Sequence, residues 1–168
     1  TDSGATLTGC YATGDVTLES INSGGNFVGG VVGSNTSSTL KACYAWGKVT
    51  GSGSGTVYVG GVTGSNDLGT LTACYHAKET VSGPGGATGG VAGRNFKDSM
   101  FGGGIITACY WGDNGQTQGI GEDQVGTGET TKVTDGDWQN AVTQMNAALN
   151  GLTTWYYDLS NEGLPVLM

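Results

Sequence analysis

Four cysteines, a single histidine and fourteen carboxylates are the residues of this chain that could carry chemistry. Each cysteine opens a Cys-Tyr dipeptide, at Cys10-Tyr11, Cys43-Tyr44, Cys74-Tyr75 and Cys109-Tyr110, with successive cysteines 33, 31 and 35 residues apart. Thiolates bind zinc or exchange disulfides. Here no CxxC pair occurs, and four thiols at one long period form a column of a repeat rather than a tetrahedral cage. Side chains stacked in parallel also sit too far apart at Cβ, about 4.8 Å where a bridge wants about 3.8 Å, so a row of free thiols is the expectation. His76 would have to serve any Ser-His-Asp triad, paired-histidine metal site or imidazole base, and a bulge or surface position is the plainer reading.

The carboxylates invite comparison with glycoside-cleaving enzymes, which line a groove with two or three of them, sometimes with calcium. Asp15, Lys48 and Glu79 or Thr80 share one column that is not consistently acidic. A second group, Asp113, Glu122, Asp123, Glu129, Asp135 and Asp137, lies in a Gly-rich stretch after the last cysteine. Asp113, Glu122 and Asp123 are the candidates for Ca²⁺ there, although neither the EF-hand nor the nonapeptide calcium pattern is present. No cofactor is otherwise expected. Aromatic residues are the remaining lead: Tyr44, Trp46, Tyr75, Tyr110 and Trp111, with Tyr58 nearby, would form a ligand-facing stripe for stacking on sugar rings if they point outward, and corner packing if they do not. Phe96, Met100 and Phe101 are expected to pack beneath the C-terminal segment.

The elements that must position these residues follow from a second anchor in phase with the cysteines. Gly29-Gly30-Val31-Val32-Gly33-Ser34-Asn35 recurs as Gly60-Gly61-Val62-Thr63-Gly64-Ser65-Asn66 and Gly89-Gly90-Val91-Ala92-Gly93-Arg94-Asn95. Anchor to cysteine spans 14, 14 and 20 residues, the extra six falling beside Phe96 to Phe101. Length varies in two places while the segments between hold fixed, as turns between stacked strands allow. Leu7, Leu40, Leu71 and Ile106 precede the cysteines by three, and Gly9, Ala42, Ala73 and Ala108 by one. The polar column Thr8, Lys41, Thr72 and Thr107 is expected to face water. Strict alternation from Leu40 would place Cys43 outside and Tyr44 inside; a bend at the small Gly/Ala position would reverse them. The bend is favoured, since free cysteine behaves as a small hydrophobe. The third copy aligns beyond its cysteine only with a one-residue insertion, assigned to a bulge at His76.

These ladders predict an all-β solenoid of three to four coils with a period of about 31 residues and two or three short strands per coil. The domain reading is 1–111 as solenoid (1–28 partial, then 29–59, 60–88 and 89–111) and 112–168 as an acidic Gly-rich loop followed by a cap. Trp138, Ala141, Val142, Met145, Ala148, Leu149 and Leu152 recur at helical spacing, which predicts one helix from about Asp137 to Asn150, capped by Thr134, Asp135 or Asp137 and ended by Gly151. Trp155-Tyr156-Tyr157 and Leu164-Pro165-Val166-Leu167 read as a hairpin around Ser160-Asn161-Glu162-Gly163. Helix and hairpin together are expected to seal the end of the stack.

Six basic against fourteen acidic residues give 6 − 14 = −8, which disfavours phosphate backbones and anionic lipid as partners. No apolar run approaches membrane-spanning length, and TDSGATLTGC lacks the basic start and apolar run of a signal peptide, so the chain reads as a mature product or an excised fragment.

The GG-Val-x-Gly-Ser-Asn turn followed fourteen residues later by Leu-x-Ala-Cys-Tyr-Ala-x-Gly-x-Val resembles the GLUG repeat of large bacterial surface and secreted proteins. The match is best over Gly29 to Val49 and Gly60 to Val81 and departs at the insertion and at Trp111-Gly112-Asp113. The resemblance implies an extracellular or cell-surface solenoid, a scaffold or adhesin-like module with host or bacterial glycans or proteins as partners, and carries no catalytic residues. The alternatives are a carbohydrate-active β-helix enzyme and an assembly subunit that pairs through its open N-terminal coil.

Overall fold

The computed structural model describes residues 4–21, 23–84, 87–160 and 162–168. The chain forms a succession of very short strands that repeat coil after coil as five parallel ladders, so the expected β-solenoid of about four turns is the fold. A leucine ladder contains Thr6–Thr8, Thr39–Lys41, Thr70–Thr72 and Ile105–Thr107. A tyrosine ladder contains Tyr11–Ala12, Tyr44–Ala45, Tyr75–His76, Cys109–Trp111 and Thr130–Lys132. Val16–Ser20, Val49–Gly53 and Val81–Ser82 form a valine ladder, and Asn26–Gly29, Val57–Gly60 and Thr88–Gly89 a glycine ladder. An asparagine ladder closes each coil, with Val32–Thr36, Thr63–Asp67, Ala92–Asp98 and Ile120–Asp123. Five strands per coil replace the two or three expected; left-handed residues make several of the breaks, at Ser37 and Leu68 after the asparagine strands and at the small residue before each cysteine.

The most informative of these breaks precedes each cysteine. Gly9, Ala42, Ala73 and Ala108 have φ of 68°, 50°, 52° and 49°. An L residue there costs on the order of 1 kcal/mol, and the kink shifts the side-chain alternation by one residue. Leu40 and Cys43, three apart, therefore both point into the solenoid, with Leu71 and Cys74 above them, while Tyr44 and Tyr75 point out. Cys43, Cys74 and Cys109 are fully buried. Beyond them the two glycines at 60 and 61 let coils approach: a Cβ on Gly60 would lie 2.7 Å from Ala92 Cα, and one on Gly61 2.5 Å from His76 Cβ.

The register corrects the position of the insertion. His76 pairs with Ala45 and Tyr75 with Tyr44, whereas Val81 pairs with Val49, so the extra residue falls in the turn Ala77–Thr80 and His76 stays on its strand. The six-residue insertion of the third copy is a small hairpin in which Lys97 and Asp98 pair with Gly103 and Gly102. It projects Met100 and Phe101 into solvent, 83% and 76% exposed, instead of packing beneath the C-terminal segment.

The stretch after Gly112 is not a loop. Ile120–Asp123 pairs in parallel with the third asparagine-ladder strand, Ala92 against Ile120 and Asn95 against Asp123, and Thr130–Lys132 adds a rung beyond Cys109–Trp111. Gly119-Ile120-Gly121-Glu122-Asp123 is thus a worn fourth copy of the GG anchor. Between these strands the chain takes a short cut beneath the last valine and glycine strands, whose edges it satisfies: Val81 N–H donates to Asn114 O, Gln116 Nε2 to Val81 O, and Gln118 Nε2 to Thr88 O.

The helix α1 (Gln139–Leu149) begins after Trp138, which is its N-cap without a side-chain cap bond; Asp137 accepts from Gln139 N–H at 3.3 Å, and Thr134 and Asp135 lie upstream. Gly151, at φ 75°, ends it as expected. The hairpin pairs Tyr157–Leu159 with Pro165–Leu167; Asn161 of its turn lies outside the described residues. Helix and hairpin do not seal the end of the stack. They lie along its side, Ala141, Val142, Met145 and Leu149 packing on Ala42, Tyr44, Ala73, Tyr75 and Tyr110 from three successive coils. The outward-pointing tyrosines of three coils present a continuous apolar face, and the apolar stripe of the amphipathic helix covers it.

Candidate functional site

Each thiol of the column donates to the carbonyl two residues back, Cys43 to Lys41 O at 3.2 Å, Cys74 to Thr72 O at 3.5 Å and Cys109 to Thr107 O at 3.4 Å. The neighbouring Cys74 thiol and burial hold Cys43 well above the ordinary thiol range, and burial does the same for Cys74. The cysteines are free, and protonated thiols sealed in a core are poor nucleophiles and poor metal ligands.

His76 is fully buried, not on the surface. Its Nε2–H donates to Gly47 O at 2.9 Å, and its Nδ1 accepts from Asn114 Nδ2 at 3.2 Å. Burial lowers its pKa. Both ring nitrogens are consumed in holding the second, third and fourth coils together, so the imidazole has neither lone pair nor access for proton transfer to a ligand.

The proposed ligand-facing aromatics are largely covered. Tyr11, Tyr44 and Tyr75 stack with centroids 5.2 and 5.0 Å apart, so the outward orientation holds. Tyr44, Tyr75 and Tyr110 are nonetheless buried, because the C-terminal segment lies on them. Tyr157 O–H donates to Ala73 O at 2.9 Å, and Tyr75 O–H is bonded to Pro165 O. Trp46 is half-buried, its Nε1–H donating to Tyr75 Oη at 2.9 Å. Trp111 points the other way: in register on His76 and Ala45, it fills the interior where the fourth coil takes its short cut, with Gly90 and Gly119 against the indole. The column Ala45, His76, Trp111 widens toward that end, and Trp111 acts as its plug.

The calcium candidates do not converge. Asp113 pairs with Lys132 at 3.3 Å, Glu122 sits on the outer side of the fourth asparagine-ladder strand, and Asp123 accepts from Val125 N–H and Gly126 N–H at 3.1 and 3.0 Å. Among the described residues no three His, Cys, Asp or Glu side chains are grouped to hold a metal ion. Asp113 and Asp135, both exposed, border a depression of about 150 Å³ that Lys132 also lines.

Two arrangements escaped the sequence reading. Asn35, Asn66 and Asn95 are fully buried and form a carboxamide ladder: Asn35 Nδ2 donates to Asn66 Oδ1 at 2.9 Å, Asn66 Nδ2 to Asn95 Oδ1 at 3.0 Å, and Asn95 Nδ2 to Asp123 Oδ1 at 3.3 Å. Each also bonds across its corner, to Ser38 O, Gly69 O and Gly104 O at 3.1 Å. The third bond spans the inserted hairpin, which explains how the corner survives six extra residues. The recurrence of Asn in three anchors was its signal. Arg94 forms the other: its guanidinium lies 4.7 to 4.9 Å from the ring centroids of Phe27, Tyr58 and Phe96, and its Nη2 donates to both carboxylate oxygens of Asp67 at 3.1 Å. Phe96 thus packs on arginine rather than under the helix.

One open cleft, about 330 Å³, runs between the last turn of α1 and Thr153–Tyr156. Trp155 and Tyr156 at its edge are 41% and 50% exposed. No helix among the described residues is long and apolar enough to cross a membrane. No family model, curated protein or solved structure matches the chain.

Proposed function

We propose that this β-solenoid is a scaffold module of a bacterial surface or secreted protein, GLUG-like and extracellular, that acts as a stalk or adhesin-like binding unit. The observation that carries the reading is the use made of the chemical residues: thiols and carboxamides run in columns along the coil axis, and they and the one imidazole bond coil to coil. Side chains spent in this way hold a rod in register, and what varies between coils is turn length and outer decoration. An acidic, weakly charged surface suits an extracellular role, keeping the rod soluble and repelling anionic polymers. An antibody raised against this chain should stain intact cells that make the parent protein; staining only after permeabilisation overturns the location. Binding to glycan and matrix-protein arrays tests the adhesin-like role, with partners of either class expected.

A second reading, assembly through the N-terminal coil, rests on the first strands of all five ladders, each of which is an edge. Leu7, Cys10, Val16, Leu18, Val31 and Val32 there are only half-buried. Strand edges beside half-covered apolar columns are templates for a further coil. Sedimentation across a wide concentration range tests it, and a monomer throughout counts against pairing between copies.

A further inference from the structure

We propose that the cleft beside Trp155 is a binding site for a neutral saccharide, with the Trp155 indole as the stacking platform; this rests on the adhesin-like reading and names its ligand class. Trp155 is fixed rather than loose. Its backbone N–H donates to Thr153 Oγ1 at 3.2 Å, and the next residue, Tyr156, exchanges hydrogen bonds with Met168 at 3.4 and 2.9 Å. The indole lies flat on the first coil at Gly9, where an added Cβ would stand 2.7 Å from Trp155 Cε2. The equivalent positions of the other coils are Ala42, Ala73 and Ala108, in the same left-handed conformation. Glycine replaces alanine only in the coil on which Trp155 rests. The backbone conformation does not demand that change, and the indole does.

A tryptophan held in place by two elements and left 41% exposed keeps an apolar face in water, an arrangement that costs free energy unless something covers it. What surrounds it selects the cover. Asn150, Thr153, Thr154 and Tyr156 supply amide and hydroxyl groups, Leu149 the floor, and no charged side chain borders the cleft. Asn146 is spent on positioning, its amide bonded both ways to the Tyr157 backbone at 2.8 and 2.7 Å. An aromatic plane with uncharged donors and acceptors at its rim matches a pyranose, whose C–H face stacks while its hydroxyls bond in the plane. It does not suit a phosphate, a carboxylate or a cation. A cleft of about 330 Å³ lies at the small end of ligand-site volumes, room for one or two sugar rings, and the exposed Tyr11, two residues beyond Gly9, offers a further ring toward the first coil.

The test titrates the purified chain with neutral hexasaccharides of glucose, xylose, mannose and N-acetylglucosamine, and with a galacturonate hexamer, following tryptophan fluorescence and the indole N–H resonances. Saturable binding of at least one neutral sugar, with the Trp155 resonance moving and the galacturonate inert, is expected. Trp155→Ala and Asn150→Ala should each weaken it roughly tenfold or more. Gly9→Ala should do the same, since alanine is tolerated in this conformation by three other coils and its methyl only displaces the indole. Phe101→Ala, on the distant hairpin tip, should bind as the parent does. Sugar binding that survives Trp155→Ala and Gly9→Ala overturns this site while leaving an adhesin-like role standing. No binding of any neutral sugar overturns the site too, and empty glycan and protein arrays would remove the broader reading with it. Concentration-dependent self-association that buries Trp155 in place of sugar binding also overturns the proposal.

Discussion

Leu7, Cys10 and Tyr11 of the first coil stack through the second coil on Leu71, Cys74 and Tyr75 of the third, the same residue types at the same places in the motif. Their surroundings differ. Leu71, Cys74 and Tyr75 are fully buried, whereas Leu7 and Cys10 are half-buried and Tyr11 is 64% exposed. A rung has no intrinsic burial of its own; it takes it from the rung on either side and from whatever lies across its face. The third coil has neighbours on both sides and the helix and hairpin over its tyrosine. The first has one neighbour and, over its outer face, Trp155 at Gly9.

The comparison is broken most severely at the tyrosines. Tyr75→Ala removes a buried ring together with the partner of Trp46 Nε1 and the contact to Pro165, and should cost about 3–5 kcal/mol in urea unfolding, against less than about 1 kcal/mol for Tyr11→Ala. Equal losses would mean that the C-terminal segment adds nothing to the stack. Next come the leucines: Leu71→Ala should cost about 2–5 kcal/mol and Leu7→Ala roughly half as much, because part of its cavity is already open to water. Unfolding midpoints of the pair give the difference directly.

Asn66→Ala sharpens a different aspect, the polar spine that both coils share. It removes one of the two bonds of Asn35 Nδ2, the donor to Asn95 Oδ1 and the corner bond to Gly69 O, and should cost about 2–3 kcal/mol, read from the same unfolding curves. A near-neutral result would show that each corner bond suffices without the ladder.

The smallest effects are those of pH. Burial lowers the His76 pKa, so between that value and the ordinary histidine value near 6.5 the unfolded chain binds more protons. Stability should therefore fall as pH drops below about 6.5, and His76→Gln should remove that contribution to the slope, on a plateau lowered by the loss of the imidazole's bonds to Gly47 and Asn114. Burial raises Cys74 and Tyr157 in the folded chain, so their contribution is present below the unfolded values of about 8.5 and 10 and declines as pH rises past them. Under mild alkylation of the native chain Cys10, half-buried at the edge, should react first and Cys74 last, as mass spectrometry would show. Simultaneous labelling of all four would mean that the coils open together rather than from the first inward.

Much of this molecule was written in the repeat. The phase of Cys-Tyr against the GG anchor determined the solenoid, its period and its register, because stacked coils force equivalent residues into one column. The small residue before each cysteine even announced the kink that turns Cys43 in and Tyr44 out. The worn fourth anchor at Gly119 to Asp123 stayed hidden, since acidic side chains replaced serine and asparagine at positions where only backbone pairing and one carboxyl acceptor are needed. Placement of the C-terminal segment was decided by tertiary structure alone. Helical spacing specifies an apolar face without saying which surface will cover it, and the apolar surface it meets is made by the outward tyrosines of three separate coils, brought side by side only by the stacking. That choice buried the aromatic stripe the sequence had offered to a ligand and set Trp155 on Gly9, half in water, at a cleft that no spacing in the chain foretold.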